Sequence, residues 1–145
     1  MQKLFKLLET KNYWFKKYLA ANEAFHLVLL HEPEVALDEL ELFYGNRESL
    51  LKIIEDLEMK VQKEAEGPAW AGEIDSAART RVHAYVREKD SYISRIVTLD
   101  TDIIKRMEAI RLEGLQKASH LAKGKKALAK FRSNANYNER LDKKI

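Results

Sequence analysis

The chain has 145 residues, 34% of them charged and 46% hydrophobic, with 5 Gly, 2 Pro and no Cys. This length fits one domain, and helix formers so outnumber turn formers that sandwiches, barrels and most α/β enzymes are poor candidates; without cysteine there is no disulfide, thiolate zinc site, iron–sulfur cluster or cysteine nucleophile. The net charge of +3 conceals a division, because residues 31–75 carry 13 acidic side chains against 4 basic ones and residues 117–145 carry 2 against 9. An acidic middle and a basic end attract each other within one molecule or across a dimer.

Residues 2–30 place Leu4, Leu8, Phe15, Tyr18, Phe25 and Leu29 on one stripe, the core-facing side of a first long helix. Pro33 ends it, since the residue before a proline avoids the helical region, and begins a second helix over 34–66. There Ala36, Leu40, Phe43, Arg47, Leu50, Ile54, Leu57 and Val61 form a heptad seam interrupted by one arginine. Gly67-Pro68-Ala69-Trp70-Ala71-Gly72 marks a turn, and Asp75 or Ser76 is a suitable N-cap for a third helix over 74–122. From Ile96 its apolar residues follow an eleven-residue repeat through Leu99, Ile103, Met107, Ile110 and Leu121, which predicts a nearly straight helix and no heptad supercoil. Thr98-Leu99-Asp100-Thr101-Asp102 carries capping residues, and a helix starting there divides the third in two. The fold class is therefore all-α: three long antiparallel helices, four if the third breaks near Asp100, in a coiled-coil-like bundle over residues 1–131 with a basic tail over 132–145. Unbroken, residues 74–122 span about 73 Å against about 43 Å for the first helix, so the C-terminal helix overhangs the core and needs a cover for its apolar stripe.

Candidates for chemistry each lack a partner. Glu23-Ala24-Phe25-His26 has the E-x-x-H spacing of di-iron bundles without the second copy such a site requires. His31-Glu32-Pro33-Glu34 lacks the second histidine of a zinc helix. Gly124-Lys125-Lys126 lacks the first glycine of a phosphate loop and reads as a helix kink or cap. Asp100 with Asp102, and Glu55 with Asp56, do not share a helical face and read as solvated. No cofactor, metal or catalytic residue is expected. Tyr13-Trp14-Phe15 among Lys11, Lys16 and Lys17 reads as core with snorkelling lysines in preference to a membrane-surface helix. Lys123, Lys125, Lys126, Lys130 and Arg132 could meet phosphates, but no stacking aromatics are interleaved with them. Met1 to Lys6 leads into a mixed polar helix, and no apolar run approaches the ~20 residues of a membrane span, so a cytoplasmic protein is expected.

Leu99-Asp100-Thr101-Asp102-Ile103, the patch from Leu121 to Phe131 around Lys123-Gly124-Lys125-Lys126-Ala127-Leu128, and the closing Arg140-Leu141-Asp142-Lys143-Lys144 resemble the end of flagellar export chaperones of the FlgN/FliT type. Asn46-Arg47-Glu48-Ser49-Leu50-Leu51 is similar to their arginine-bearing second helix. The resemblance implies a non-enzymatic cytoplasmic chaperone that binds an amphipathic helix of a secreted hook-associated or cap subunit. On this reading the partner-binding stripe is Ile96, Leu99, Ile103, Met107, Ile110 and Leu121, with Lys125, Lys126 and Phe131 at its end, and the same residues serve as intramolecular core if no client is bound. Tyr137, Leu141 and Ile145, spaced by four, form a candidate strap. Two other classes stay open: a coiled-coil dimerisation module, and a protein binding nucleic acid or a regulator through its basic tail.

Overall fold

The computed structural model describes residues 1–67, 75–114 and 124–135. Helix α1 spans Gln2–His31, α2 Pro33–Asp38, α3 Leu40–Ala65, α4 Ser76–Glu113 and α5 residues 124–135. Every described element is helical, and no strand is found among these residues.

Local chemistry accounts for most of the boundaries. Glu32, ahead of Pro33, leaves the helical region at φ −139°, ψ 68°, and Pro33 opens α2 where its missing N–H is harmless. The Asp75 carboxylate accepts from the Ala78 N–H at 2.7 Å and caps α4. Three expectations are corrected and one open alternative is settled. The second helix is interrupted at Glu39, φ −92°, ψ 3°, which separates α2 from α3 and lets Ala36 and Leu37 turn into the core beside Leu40. The third helix does not break near Asp100: the Asp100 carboxylate points inward to Arg47, and the Thr101 hydroxyl donates back to the Val97 carbonyl, so neither caps a new start. It also ends at Glu113, not 122, and residues 132–135, assigned to a tail, complete α5.

Helices α1 and α4 run parallel, as the contacts of Asn12 with Tyr85 and of Asn22 with Asp100 require. Helix α3 runs against both, with Lys3 beside Glu64 and Asn22 beside Arg47. The buried positions step by four and three on all three: Lys11, Phe15, Tyr18, Asn22, Phe25, Leu29; Leu40, Tyr44, Arg47, Leu51, Ile54, Glu58; Lys89, Ile93, Ile96, Asp100, Ile103, Met107, Ile110. This is a heptad seam, so the eleven-residue repeat expected after Ile96 is replaced: Asp100 takes the seam position and Leu99 lies half-buried beside it.

The seam carries two polar layers. Asn22, Arg47 and Asp100 form one, and eleven residues away on every helix Lys11, Glu58 and Lys89 supply the other, about 16 Å along the axis. Between them lies an apolar segment of Phe15, Tyr18, Leu19, Leu51, Ile54, Ile93 and Ile96. Beyond the Arg47 layer a second apolar cluster gathers Phe25, Leu29, Leu40, Phe43, Ile103 and Met107 with Ala127, Leu128 and Phe131 of α5.

Helix α4 has 38 residues to the 30 of α1, an excess of about 12 Å. Its C-terminal half is not left bare. Helix α5 folds back over it, with Gly124 so close to α4 that an added Cβ would stand 3.2 Å from Arg111 Cβ. The Gly124-Lys125-Lys126 segment is therefore part of a packed helix.

Candidate functional site

The Arg47 layer is the most polar point of the interior. Arg47 Nη1 donates to Asp100 Oδ1 and to Asn22 Oδ1, each at 3.1 Å, and Asn22 Nδ2 donates to Asp100 Oδ1 at 2.9 Å. The guanidinium carbon lies 4.8 Å from the Tyr18 ring centroid, 4.6 Å from that of Phe131 and 5.5 Å from that of Phe43, which adds cation–π attraction in a desolvated box. Its Nε finds no acceptor. With Arg47 and Asn22 at 0% exposure and Asp100 at 2%, no outside ligand reaches the layer, and its action is on the fold. The assignment of Asp100 as a solvated acid is thereby corrected.

The second layer is built around Lys11, whose ammonium bonds the Glu58 carboxylate inside the bundle. Burial holds the Lys11 pKa below its ordinary value, against the opposing pull of the Glu58 hydrogen bond and charge. Lys89 is buried beside it and reaches Asp90 at 3.0 Å on the surface. Neither layer was legible as a unit, because its three members come from distant parts of the chain.

The expected partner-binding stripe lies inside the molecule. Ile103 and Met107 are fully buried, Ile96 and Ile110 nearly so, and Phe131 packs on Phe43 with ring planes 4° apart. These residues realise the intramolecular alternative, because α5 and the N-terminal end of α3 cover α4. Leu99 is half-buried against the same clusters. Ile103→Asp or Ile110→Asp would therefore break the core. Lys125 and Lys126 are exposed. Lys130 pairs with Glu41, so one residue of the basic run serves the attraction of basic end for acidic middle within one chain, while Arg132 pairs with Glu108 of α4. Leu121, Tyr137, Leu141 and Ile145 lie outside the described residues.

Elsewhere, Glu23 pairs with Arg95 on the surface at 3.0 Å, and His26 is half-buried. No group of three His, Asp or Glu side chains among the described residues is placed to hold a metal ion. Phe15 is core, whereas Tyr13 is 51% exposed with Lys17 Nζ 5.3 Å from its ring centroid. No helix among the described residues is long and apolar enough to cross a membrane.

Among the described residues a groove opens to solvent between α1 and α3, a space of about 270 Å3 lined by Ala21, Ala24, Phe25 and Val28 of α1 and by Glu39, Leu42, Phe43 and Asn46 at the start of α3. Its floor is the Phe25–Phe43 pair, stacked at 4.0 Å between centroids. Small alanines on one wall leave room for another backbone to approach. Leu42 on the other wall is 68% exposed, and Leu27, one helical step from Ala24, is 57% exposed. Glu39 is the one charged residue of the lining; Glu23 and Glu41 face away from it, toward Arg95 of α4 and Lys130 of α5. Phe25 and Phe43 of its floor stand in the two periodic series, but Leu42 falls outside both and gives no signal. Compared with known proteins, the chain matches no protein family, no curated protein and no solved structure.

Proposed function

We propose that this chain is a non-enzymatic adaptor that holds an amphipathic helix of a partner, and that the partner is a secreted flagellar subunit of the hook-associated or cap class. The observation that carries the first part is the α1/α3 groove, where Leu42 stands 68% exposed over a stacked aromatic floor. A large apolar side chain held in water at a concave surface is the geometry of helix-in-groove capture. The second part rests on the resemblance of the Leu99–Ile103 and Leu121–Phe131 segments, and of the arginine-bearing helix, to export chaperones. Shielding an amphipathic terminal helix before secretion keeps a subunit from associating early, and such work needs a binding face and no reacting group.

The reading is tested by mixing the purified chain with synthetic peptides covering the terminal helices of hook-associated and cap subunits. A one-to-one complex by light scattering supports it. Binding to none of these peptides, with the chain folded by circular dichroism, overturns the flagellar assignment.

A further inference from the structure

We infer that two copies of this chain pair through the α1/α3 groove, turned end for end about an axis that passes between Ala24 and Asn46. The inference goes beyond the adaptor reading and does not depend on it. The register of the bundle locates the axis: Asn22 bonds Arg47 and the two helices run in opposite directions, so Ala24 of α1 and Asn46 of α3 stand level to within a residue. Lys17, Ala21, Ala24 and Val28 step by four, three and four and share one face of α1. Lys17 precedes Ala24 by seven residues, and Glu39 precedes Asn46 by seven on the opposing helix, so an exposed cation and an exposed anion flank that level at opposite ends, each about 10 Å from it. Within one chain they are too far apart to meet. Turning a second copy end for end sets Lys17 level with Glu39 of the other copy, twice by symmetry. The same operation brings Leu42, 68% exposed, level with the small Ala21 of the other copy, and leaves Ala24 against Ala24 and Asn46 against Asn46. A two-fold contact must be complementary to itself. Here a leucine meets an alanine, alanines at the axis let the helices approach, and a carboxamide, both donor and acceptor, can bond its own copy. A phosphate backbone or an anionic lipid calls for cations side by side, whereas this face carries one charge of each sign.

Sedimentation velocity of the full chain across the micromolar range tests this, with no client present and with circular dichroism confirming that each variant is folded. The chain should pass from monomer to dimer as concentration rises. Lys17→Glu and Glu39→Lys each oppose like charges at both ends, and each should raise the dissociation constant at least about tenfold. The double variant Lys17→Glu/Glu39→Lys restores opposite charges and should return it to within about threefold of the original. Leu42→Gln should also weaken the dimer, and Glu9→Gln, at the far end of α1, should leave it unchanged. If Glu39→Lys at the start of α3 does not fold, Lys17→Glu and Leu42→Gln decide the matter alone. A monomer at every concentration would overturn the inference, and so would a dimer that Lys17→Glu and Leu42→Gln leave intact or a folded double variant that stays dissociated. A chain that is monomeric throughout yet binds a subunit peptide would overturn the pairing and keep the adaptor reading. A dimer that responds to these variants as stated but binds no such peptide would uphold the pairing by itself.

Discussion

Arg47 and Asp100 meet inside the bundle with Nη1 3.1 Å from Oδ1, and each finds a countercharge in the other's helix. Water reaches neither side chain, so the pair is worth far less than the cost of breaking it. Arg47→Leu or Asp100→Leu alone should each lower unfolding free energy by about 3–5 kcal/mol, because each strands a buried charge. The double variant should lose less than the sum, and urea titrations of all four chains give the coupling as a double-mutant cycle. Additive losses would mean that the two do not interact as described.

Gly45 sits in the interior of α3, exposed, and an added Cβ meets nothing within 4 Å. Gly45→Ala should therefore raise stability by about 1 kcal/mol through helix propensity alone. Thermal melts detect this directly, and a loss of stability would show that the open backbone serves some contact.

Helix α5 is fixed by Phe131 and by the close approach at Gly124. Phe131→Ala should cost about 3–5 kcal/mol, including the ring it removes from Arg47. Gly124→Val should displace α5 from Arg111, read as faster amide exchange over 124–135 with α1 unaffected.

Tyr44 donates from its hydroxyl to the Ala127 carbonyl at 2.8 Å, joining α3 to α5. Burial raises its pKa well above the ordinary tyrosine value. A group whose folded pKa is raised contributes stability that is complete below its unfolded pKa, about 10, and lost as pH climbs beyond it. Lys11, with a lowered folded pKa, acts in the opposite sense, gaining as pH approaches its ordinary value near 10.5. The comparison is therefore between the chain and Tyr44→Phe, in which Lys11 is common. The variant should lose about 1 kcal/mol near neutral pH and show a smaller further loss at about pH 11.

Leu42→Gln should leave stability within about 0.5 kcal/mol, whereas Ile103→Gln should unfold the chain or nearly so. Similar melts for the two would contradict the placement of Leu42 in solvent and Ile103 in the core.

Helix α1 was legible to within a residue because its stripe is continuous and Pro33 stops it. The cap at Asp75 was legible for the same local reason. Of the two polar layers Arg47 alone stood on a seam in the sequence; on α1 they left only gaps, since the stripe passes from Leu8 to Phe15 and from Tyr18 to Phe25, and the skipped seam positions are Lys11 and Asn22. Asp100 was passed over on α4 in the same way, between Ile96 and Ile103. Reading them as interior requires knowing that Glu58 and Arg47 stand opposite, which is a tertiary fact. The mistaken eleven-residue repeat has this cause, since Leu99 was chosen where the charged Asp100 does the packing. The stripe after Ile96 was correctly apolar, but what covers it depends on α5, whose position no local signal gives. The groove escaped notice because its alanines are unremarkable on a helix flank and Leu42 obeys no period.

The equal spacing of Lys11 to Asn22, Arg47 to Glu58 and Lys89 to Asp100 works as a vernier. Sliding α4 by a heptad keeps most apolar side chains in line, yet it sets Ile93 or Met107 against Arg47 and Asn22 and leaves both layers misaligned at once. Length is thereby regulated inside each helix. A seven-residue insertion between two polar seam positions preserves the stripe and still ruins the match, so chains descended from this one should keep the gap of eleven more strictly than the residues that fill it.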